Sequence, residues 1–570
     1  MTEMPVLLHP ALVLIAAALL LPMLRGTARN IAVLSAPTLA LAALWLLPEG
    51  RLWQVQWLDY QLAPLAVDKL SRLFATIFAL MALAGGLFAL RQDSRLEIPA
   101  AFVYAGAAIG VALAGDLVTV FVFWEVMAVG STLVLWSANT RRAWAASLRY
   151  AMVHLAGGVI LFAGVAGHLL TTGDAAFTRM QPDSIAHWLI LIGFLINAGA
   201  PPLSAWLPDA YPEASWSGTV FLSAFTTKTA VYVLLRGFPG TEILIWIGIF
   251  MIFYGIVYAL LENDMRRILA YSIVNQVGFM VVGIGIGTEM ALNGAAAHAF
   301  SHIIYKALLL MSAGAVLAAT GKRKCSELGG LFHSMPLTTI CGTIGALAIS
   351  SFPLTSGFVS KSMVTQAAID GHLQTVWLFL AAASAGVFLH AGIKFPWFVF
   401  FQKDSGLRPA DPPASMRWAM ILFAFLCIAL GVWPEPLYAM LPYAVDYVPY
   451  TAAHVITQLQ LLLFSGLAFF VMLDYLKRTP TITLDVDWSW RILLPAIGRV
   501  FGDALRHCRE GLAQQLANLS EFATGFVGRH RRPDGLLVRS WPTGSMALWV
   551  MVMLLAYLLL YYLGRGGPHA

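Results

Sequence analysis

Apolar runs of about 18 to 25 residues recur along the chain between short polar segments, and each is long enough to cross a hydrocarbon core of roughly 30 Å. Read run by run, the pattern predicts about sixteen helices: 6–24, 31–47, 65–90, 98–113, 116–137, 150–170, 187–206, 217–238, 242–261, 267–287, 291–319, 336–369, 374–401, 417–433, 455–474 and 546–563. This is an all-α polytopic membrane protein with about 14–16 transmembrane helices. Two runs carry helix breakers: Pro201-Pro202 in the seventh, and Pro353 with Gly357 in the twelfth. Broken helices at membrane depth are tolerated only where the freed backbone groups are buried in protein or line a wet cavity. The two breaks stand five helices apart, each the fourth member of a five-helix group. An odd-numbered group reverses orientation in its second copy, so two inverted five-helix repeats are expected, at 98–238 and 242–401. A three-helix segment over 1–97 precedes them and C-terminal helices over 402–478 follow.

Residues 479–543 differ in character. Arg491, Arg499, Arg506, Arg509, Arg529, Arg531, Arg532 and Arg539 alternate with apolar residues, and no run is long enough to span. Residues 494–527 read as a long amphipathic helix on the cytoplasmic membrane surface, with a final span within 544–570.

Composition agrees with this picture. Of 570 residues, 59% are hydrophobic and 11% charged, against about 25% charged in a soluble domain, which excludes a soluble fold. The first run follows Met-Thr-Glu, not a basic stretch, and is expected to be a retained helix. The net charge of +6 reports orientation rather than nucleic-acid binding. With the N-terminus outside, alternate connections gather Arg25, Arg29, Arg91, Arg95, Arg141, Arg142, Arg149, Arg266, Arg267, Lys322, Arg323, Lys324, Lys403, Arg408, Lys477 and Arg478 on the cytoplasmic face, against Arg51, Arg179 and Arg236 opposite. Cys325, Cys341, Cys427 and Cys508 lie too far apart in sequence for a metal-ligand or disulfide framework.

The candidate chemistry lies in ionisable residues inside the runs. Glu125 stands about nine residues past Asp116, the expected cap of its helix, and so roughly 14 Å into the bilayer. Lys228 is similarly central, and a charge at such depth costs about 2.5–3.5 kcal/mol on insertion scales. His298, His302 and Lys306 follow one another at four-residue spacing and form one polar stripe on an otherwise apolar helix. Imidazole accepts on one nitrogen and donates on the other, which suits a proton relay; the same spacing also suits haem or metal ligation, but no acidic or sulfur ligand accompanies it. Lys361 follows the second break. Lys394 occupies the place in its five-helix group that Lys228 has in the first; its position near a helix end also allows simple snorkelling. His154 and His168 read as satisfied packing residues.

The segments WLPDAYPEA, FTTKTAVY, NDMRRILAYSIVNQVGFM, HAFSHIIYKALL and PLTSGFVSK, in this order, resemble the antiporter-like subunits shared by Mrp-type sodium/proton antiporters and respiratory complex I, over about residues 60–410. Within that superfamily the chain is most similar to the D-type component of the Mrp antiporters. The resemblance implies one component of a multi-subunit complex in the bacterial cytoplasmic membrane, exchanging Na+ (or K+) for protons, with no cofactor. It also implies that Glu125 is the acidic partner in a relay, Lys228 and Lys306 its central residues, and Lys361 its terminal lysine. Two positions depart from the family pattern. Asn197 stands where a lysine usually pairs with the glutamate, so Glu125 is expected to use another partner such as Lys228, and Gln276 stands where many relatives have histidine. Two other functions compete: a proton-conducting module that energises a redox or inorganic-carbon uptake partner, and a haem or quinone enzyme. The sequence has no catalytic triad, P-loop or dinucleotide fingerprint to support a free-standing enzyme.

Overall fold

The computed structural model describes residues 8–477, 484–532, 534–535 and 541–564; the first residues of the opening run, Arg478 and Arg539 lie outside them. Among the described residues, twelve helices are long and apolar enough to cross a membrane, and four shorter apolar helices accompany them: Pro10–Met23, Glu97–Leu113, Ile185–Ala198 and Pro336–Ile349. Each of the sixteen expected runs holds one of these helices. Helix starts and stops follow local chemistry. Asp116 caps Leu117–Trp136 by accepting from the Thr119 amide at 2.7 Å, Thr140 caps Arg141–Thr172, and that long helix ends at Gly173 with φ +69°.

The structure corrects the expected elements in three places. Residues 65–67 do not open the third helix. They end an antiparallel hairpin, Gly50–Trp57 paired with Tyr60–Val67, and the helix begins at Lys69 behind an Asp68 capping box. Ala63, Leu65 and Val67 are buried alternately, and Gly115 and Asp116 bond the Ala63 backbone, which fastens the hairpin to the bundle. The eighth run is not continuous: Gly218–Leu222 stops, and a new helix, Thr226–Gly237, starts just before Lys228. The thirteenth leaves α geometry at Phe388 and continues as π-helix through Lys394 and again over Trp397–Phe401. Single π-turns of this kind widen a helix and often mark functional positions.

The expected breaks are present. Ile185–Ala198 is followed by irregular backbone up to Trp206, and Pro336–Ile349 is separated from Ser356–Asp370 by a turn in which Ser351 and Leu354 take positive φ. Non-glycine residues in that region cost about 1–3 kcal/mol each and persist where their surroundings over-determine them.

Ion pairs fasten the helix ends. Arg149 holds Asp209 through two bonds of 2.7 and 2.8 Å, and Arg323 bridges Glu213 at 3.0 Å and Asp264 at 2.8 Å. The WLPDAYPEA and NDMRR segments therefore anchor the bundle at one end and leave the polar residues deeper inside for other work. The described residues up to Asp487 form one compact unit. The second unit begins at Trp488 and contains the 37-residue helix Leu494–His530, which covers the expected amphipathic segment, and the apolar helix Thr543–Gly564.

Candidate functional site

The helix Glu289–Thr320 runs through the core, and its His298, His302 and Lys306 are fully buried. The 298–302–306 spacing puts the three on one face, with the two imidazole rings 6.3 Å apart. Each meets a different neighbour. His298 Nε2 and the Tyr305 hydroxyl both donate to Gln276 Oε1, at 3.0 and 3.2 Å, and His298 Nδ1 lies 3.3 Å from Ser360 Oγ. Lys306 Nζ donates to Ser272 Oγ at 2.9 Å. Both nitrogens of His302 are buried without a hydrogen-bond partner, although its ring lies 5.2 Å from that of Tyr305.

Lys228 and Lys361 flank this stripe. The break at 223–225 frees the Ser223 carbonyl, and Lys228 Nζ donates to it at 2.6 Å and to Thr227 Oγ1 at 3.1 Å. Lys228 is fully buried and within electrostatic range of Lys306, His302 and His298. Lys361, 2% exposed, makes no hydrogen bond; its Nζ sits 4.1 Å from the centre of the Phe279 ring, and its charge reaches His298. A cation over an aromatic face recovers part of its lost hydration. A cavity of about 670 Å³ borders Lys361, with Asp370, Asp446 and His454 in its wall. Lys228, His302, Lys306, His298 and Lys361 thus form one succession of buried basic groups, interleaved with Ser272, Gln276, Tyr305 and Ser360.

Two candidate residues stand differently. Glu125 does not pair with Lys228: its Oε1 is buried with no hydrogen-bond partner and rests against Gly158 of the Arg141–Thr172 helix. Lys228 is satisfied by the carbonyl that the helix break leaves open, which removes the reason to reach for the carboxylate. Lys394 donates to the carbonyls of Ala259, Leu260 and Glu262 at 3.2, 2.5 and 2.6 Å, and so caps the C-terminus of Ile243–Leu261.

His390 is a residue that the sequence pattern does not single out. It is buried in the π-helical turn, bonds the Gly386 carbonyl through Nδ1 at 2.8 Å, and lies within electrostatic range of Lys306, Lys361 and Lys394. The available signal is the LHAGIK segment, four residues from Lys394, where histidine interrupts an apolar run. Among the described residues, no group of three His, Cys, Asp or Glu side chains is placed to hold a metal ion.

A bundle of apolar spans threaded by buried lysines and histidines defines an antiporter-like membrane protein. The chain belongs to the family described as "NADH:quinone oxidoreductase/Mrp antiporter, TM", which matches residues 114–388. It is 30% identical over 406 residues to the Na(+)/H(+) antiporter D subunit of Alkalihalophilus pseudofirmus, a match covering 66% of this chain and 82% of that protein. It is 29% identical over 391 residues to a probable K(+)/H(+) antiporter A/B subunit of Rhizobium meliloti, covering 64% of this chain but only 39% of that longer protein. It is also 27% identical over 474 residues to the NADH-quinone oxidoreductase M subunit of Pseudomonas aeruginosa, covering 72% of this chain and 89% of that one. Two solved structures share the fold. One component of the Mrp complex from a Dietzia species has a TM-score of 0.67 and 22% identity, covering 78% of this chain and 98% of that one. One component of an archaeal membrane-bound sulfane sulfur reductase has a TM-score of 0.70 and 23% identity, covering 97% and 99%.

Proposed function

We propose that this protein is a secondary-transporter subunit which moves protons along Lys228, His302, Lys306, His298 and Lys361 and couples that movement to exchange of Na+ or K+. It does so within a multi-subunit complex of a bacterial cytoplasmic membrane, with its N-terminus outside. The observation that carries this reading is the succession itself: three lysines and two histidines, all buried, with no carboxylate bonded to any of them among the described residues. Burying a charge costs about 2.5–3.5 kcal/mol even on lenient scales, and residues kept at that cost mark ion pathways more often than packing. Proton transfer between neighbours needs hydroxyls, amides or single waters in the gaps, which Ser272, Gln276, Tyr305 and Ser360 offer. The cavity beside Lys361 gives the terminal amine an approach from one side of the membrane. In this scheme Glu125 acts at the far end of the first half, and Lys394 works chiefly as a helix cap close to the path.

A second reading is supported by the NADH-quinone oxidoreductase relative: the same path would energise a redox partner with no ion exchange of its own. Proton flux in everted vesicles containing the chain with its native partners separates the two. Antiport predicts a proton flux that rises when Na+ or K+ is added and needs no electron donor. Flux that ignores both ions and follows a partner's redox reaction contradicts it and leaves the second reading standing.

A further inference from the structure

The Arg141–Thr172 helix carries a second stripe that the path above does not use. Tyr150, His154 and Gly158 recur at four-residue steps and so share one face. Gly158 is where Glu125 lands: a Cβ there would collide with Glu125 Oε1, an oxygen that is buried with no partner. One turn back along the helix, about 6 Å, His154 is buried as well. Its Nδ1 bonds Asn197 Oδ1 at 2.8 Å, while its Nε2 is buried with no partner. An amide oxygen only accepts, so Nδ1 carries the hydrogen and Nε2 presents its lone pair. A half-buried acid with one enclosed, unbonded oxygen and a fully buried base with one unbonded nitrogen therefore stand one helical turn apart, with only a glycine at the Glu125 contact. This is not the arrangement of a packing histidine with both nitrogens satisfied.

The surroundings continue the line. The Tyr150 ring centre is 4.0 Å from that of His154, and the Tyr150 hydroxyl bonds Ser131 Oγ at 3.0 Å and lies 3.2 Å from Thr226 Oγ1. Thr226 opens the helix that carries Lys228 and is also bonded to the Tyr104 hydroxyl at 2.5 Å. Trp206 covers another side of the imidazole at 4.6 Å between ring centres, with its own N–H committed to the Ile196 carbonyl. Arg149 and Asp209 neutralise each other at the end of the same helix. Glu125, seated against Gly158 one turn along from His154, keeps its Oε1 without a hydrogen bond.

We propose that His154 is a proton-carrying residue and the working partner of Glu125. The proton leaves the Glu125 carboxyl and binds His154 Nε2, leaving a carboxylate and an imidazolium whose opposite charges attract. It then leaves from the same nitrogen, either back to Glu125 or onward through water and the Tyr150 and Thr226 hydroxyls toward Lys228. The Asn197 bond to Nδ1 holds the ring in one tautomer throughout, so the histidine is a store with a single loading atom.

This inference rests on the proton path proposed above, and the test distinguishes the two. Proton flux is measured in everted vesicles with native partners, at equal amounts of assembled chain, for wild type, Lys306→Ala, His154→Gln and the double variant His154→Gln/Asn197→Lys. The double variant places a protonatable amine at the side chain that contacts residue 154. Lys306→Ala and His154→Gln are both expected to fall below about a tenth of the wild-type rate, and the double variant to regain at least about half of it. If Lys306→Ala abolishes flux but His154→Gln does not, the path stands and the role of His154 is refuted. If the double variant stays as inactive as His154→Gln, the histidine serves shape and not proton carriage, which also overturns the proposal. If Lys306→Ala retains flux, the path fails and this inference fails with it.

Discussion

Gly158 shows how closely a charged residue can depend on one that has no side chain. Glu125 occupies the space a methyl group would fill. Gly158→Ala is therefore expected to push the carboxylate out of its seat and cut proton flux several-fold while the chain still accumulates in the membrane, since alanine favours helix by about 1 kcal/mol over glycine. Flux per assembled chain in vesicles checks this, and an unchanged rate would mean that the position of the carboxylate does not matter. Most residues of the candidate path are legible in the sequence because a buried lysine or histidine stands out in an apolar run. Their partners are not. That Lys228 takes the Ser223 carbonyl instead of Glu125 depends on a helix break only three residues upstream, in a segment without proline or glycine to announce it. His154 reads as mere packing for a related reason: spacing gives the face a residue lies on, but an unsatisfied nitrogen exists only once its neighbours are placed.

Among the elements, the long helices are the most readable and the special geometries the least. The hairpin over Gly50–Val67 is hidden because the apolar residues of its second strand merge with the helix that follows, even though Leu52 to Trp57 alternate with glutamines in a strand-like way. The π-helical stretch around Lys394 is signalled only by Pro396, which removes a backbone donor between its two segments without specifying the wider turn. Here the lysine caps three carbonyls, and Lys394→Met is expected to lower stability by about 1–3 kcal/mol, the cost of leaving buried acceptors unpaired, and to reduce flux per assembled chain far less than Lys306→Ala. Thermal unfolding of the purified complex, set beside flux, separates the two effects. A Lys394→Met protein of normal stability without flux would make Lys394 a relay residue and not a cap. The break between Ile349 and Ser356 belongs to the same class: the sequence marks it with Pro353, but the backbone turns at Ser351 and Leu354.

For the whole molecule, the sixteen apolar helices of the described residues are legible from hydropathy alone, since a bilayer permits few alternatives to spanning helices. The asymmetric placement of basic residues then predicts that the connection containing Lys322 faces the cytoplasm. Lys322→Cys should react with a membrane-impermeant maleimide in everted vesicles and not in intact cells; the opposite pattern would invert the topology. The division at Asp487 carries a second expectation. A chain ending there keeps every residue of the proposed path in one compact unit and should still insert, with the core remaining protease-resistant. Loss of the entire chain from the membrane would show that residues 488–570 are needed for folding.

The central claim is that the buried basic succession carries protons, and Lys306 stands in its middle, fully buried and bonded to Ser272. The direct measurement is proton flux through the assembled complex in sealed proteoliposomes with Lys306→Met, which keeps the length and apolar bulk of the side chain and removes its proton. The account predicts a rate below about a tenth of wild type at equal complex content. A variant that conducts protons at the wild-type rate would contradict it.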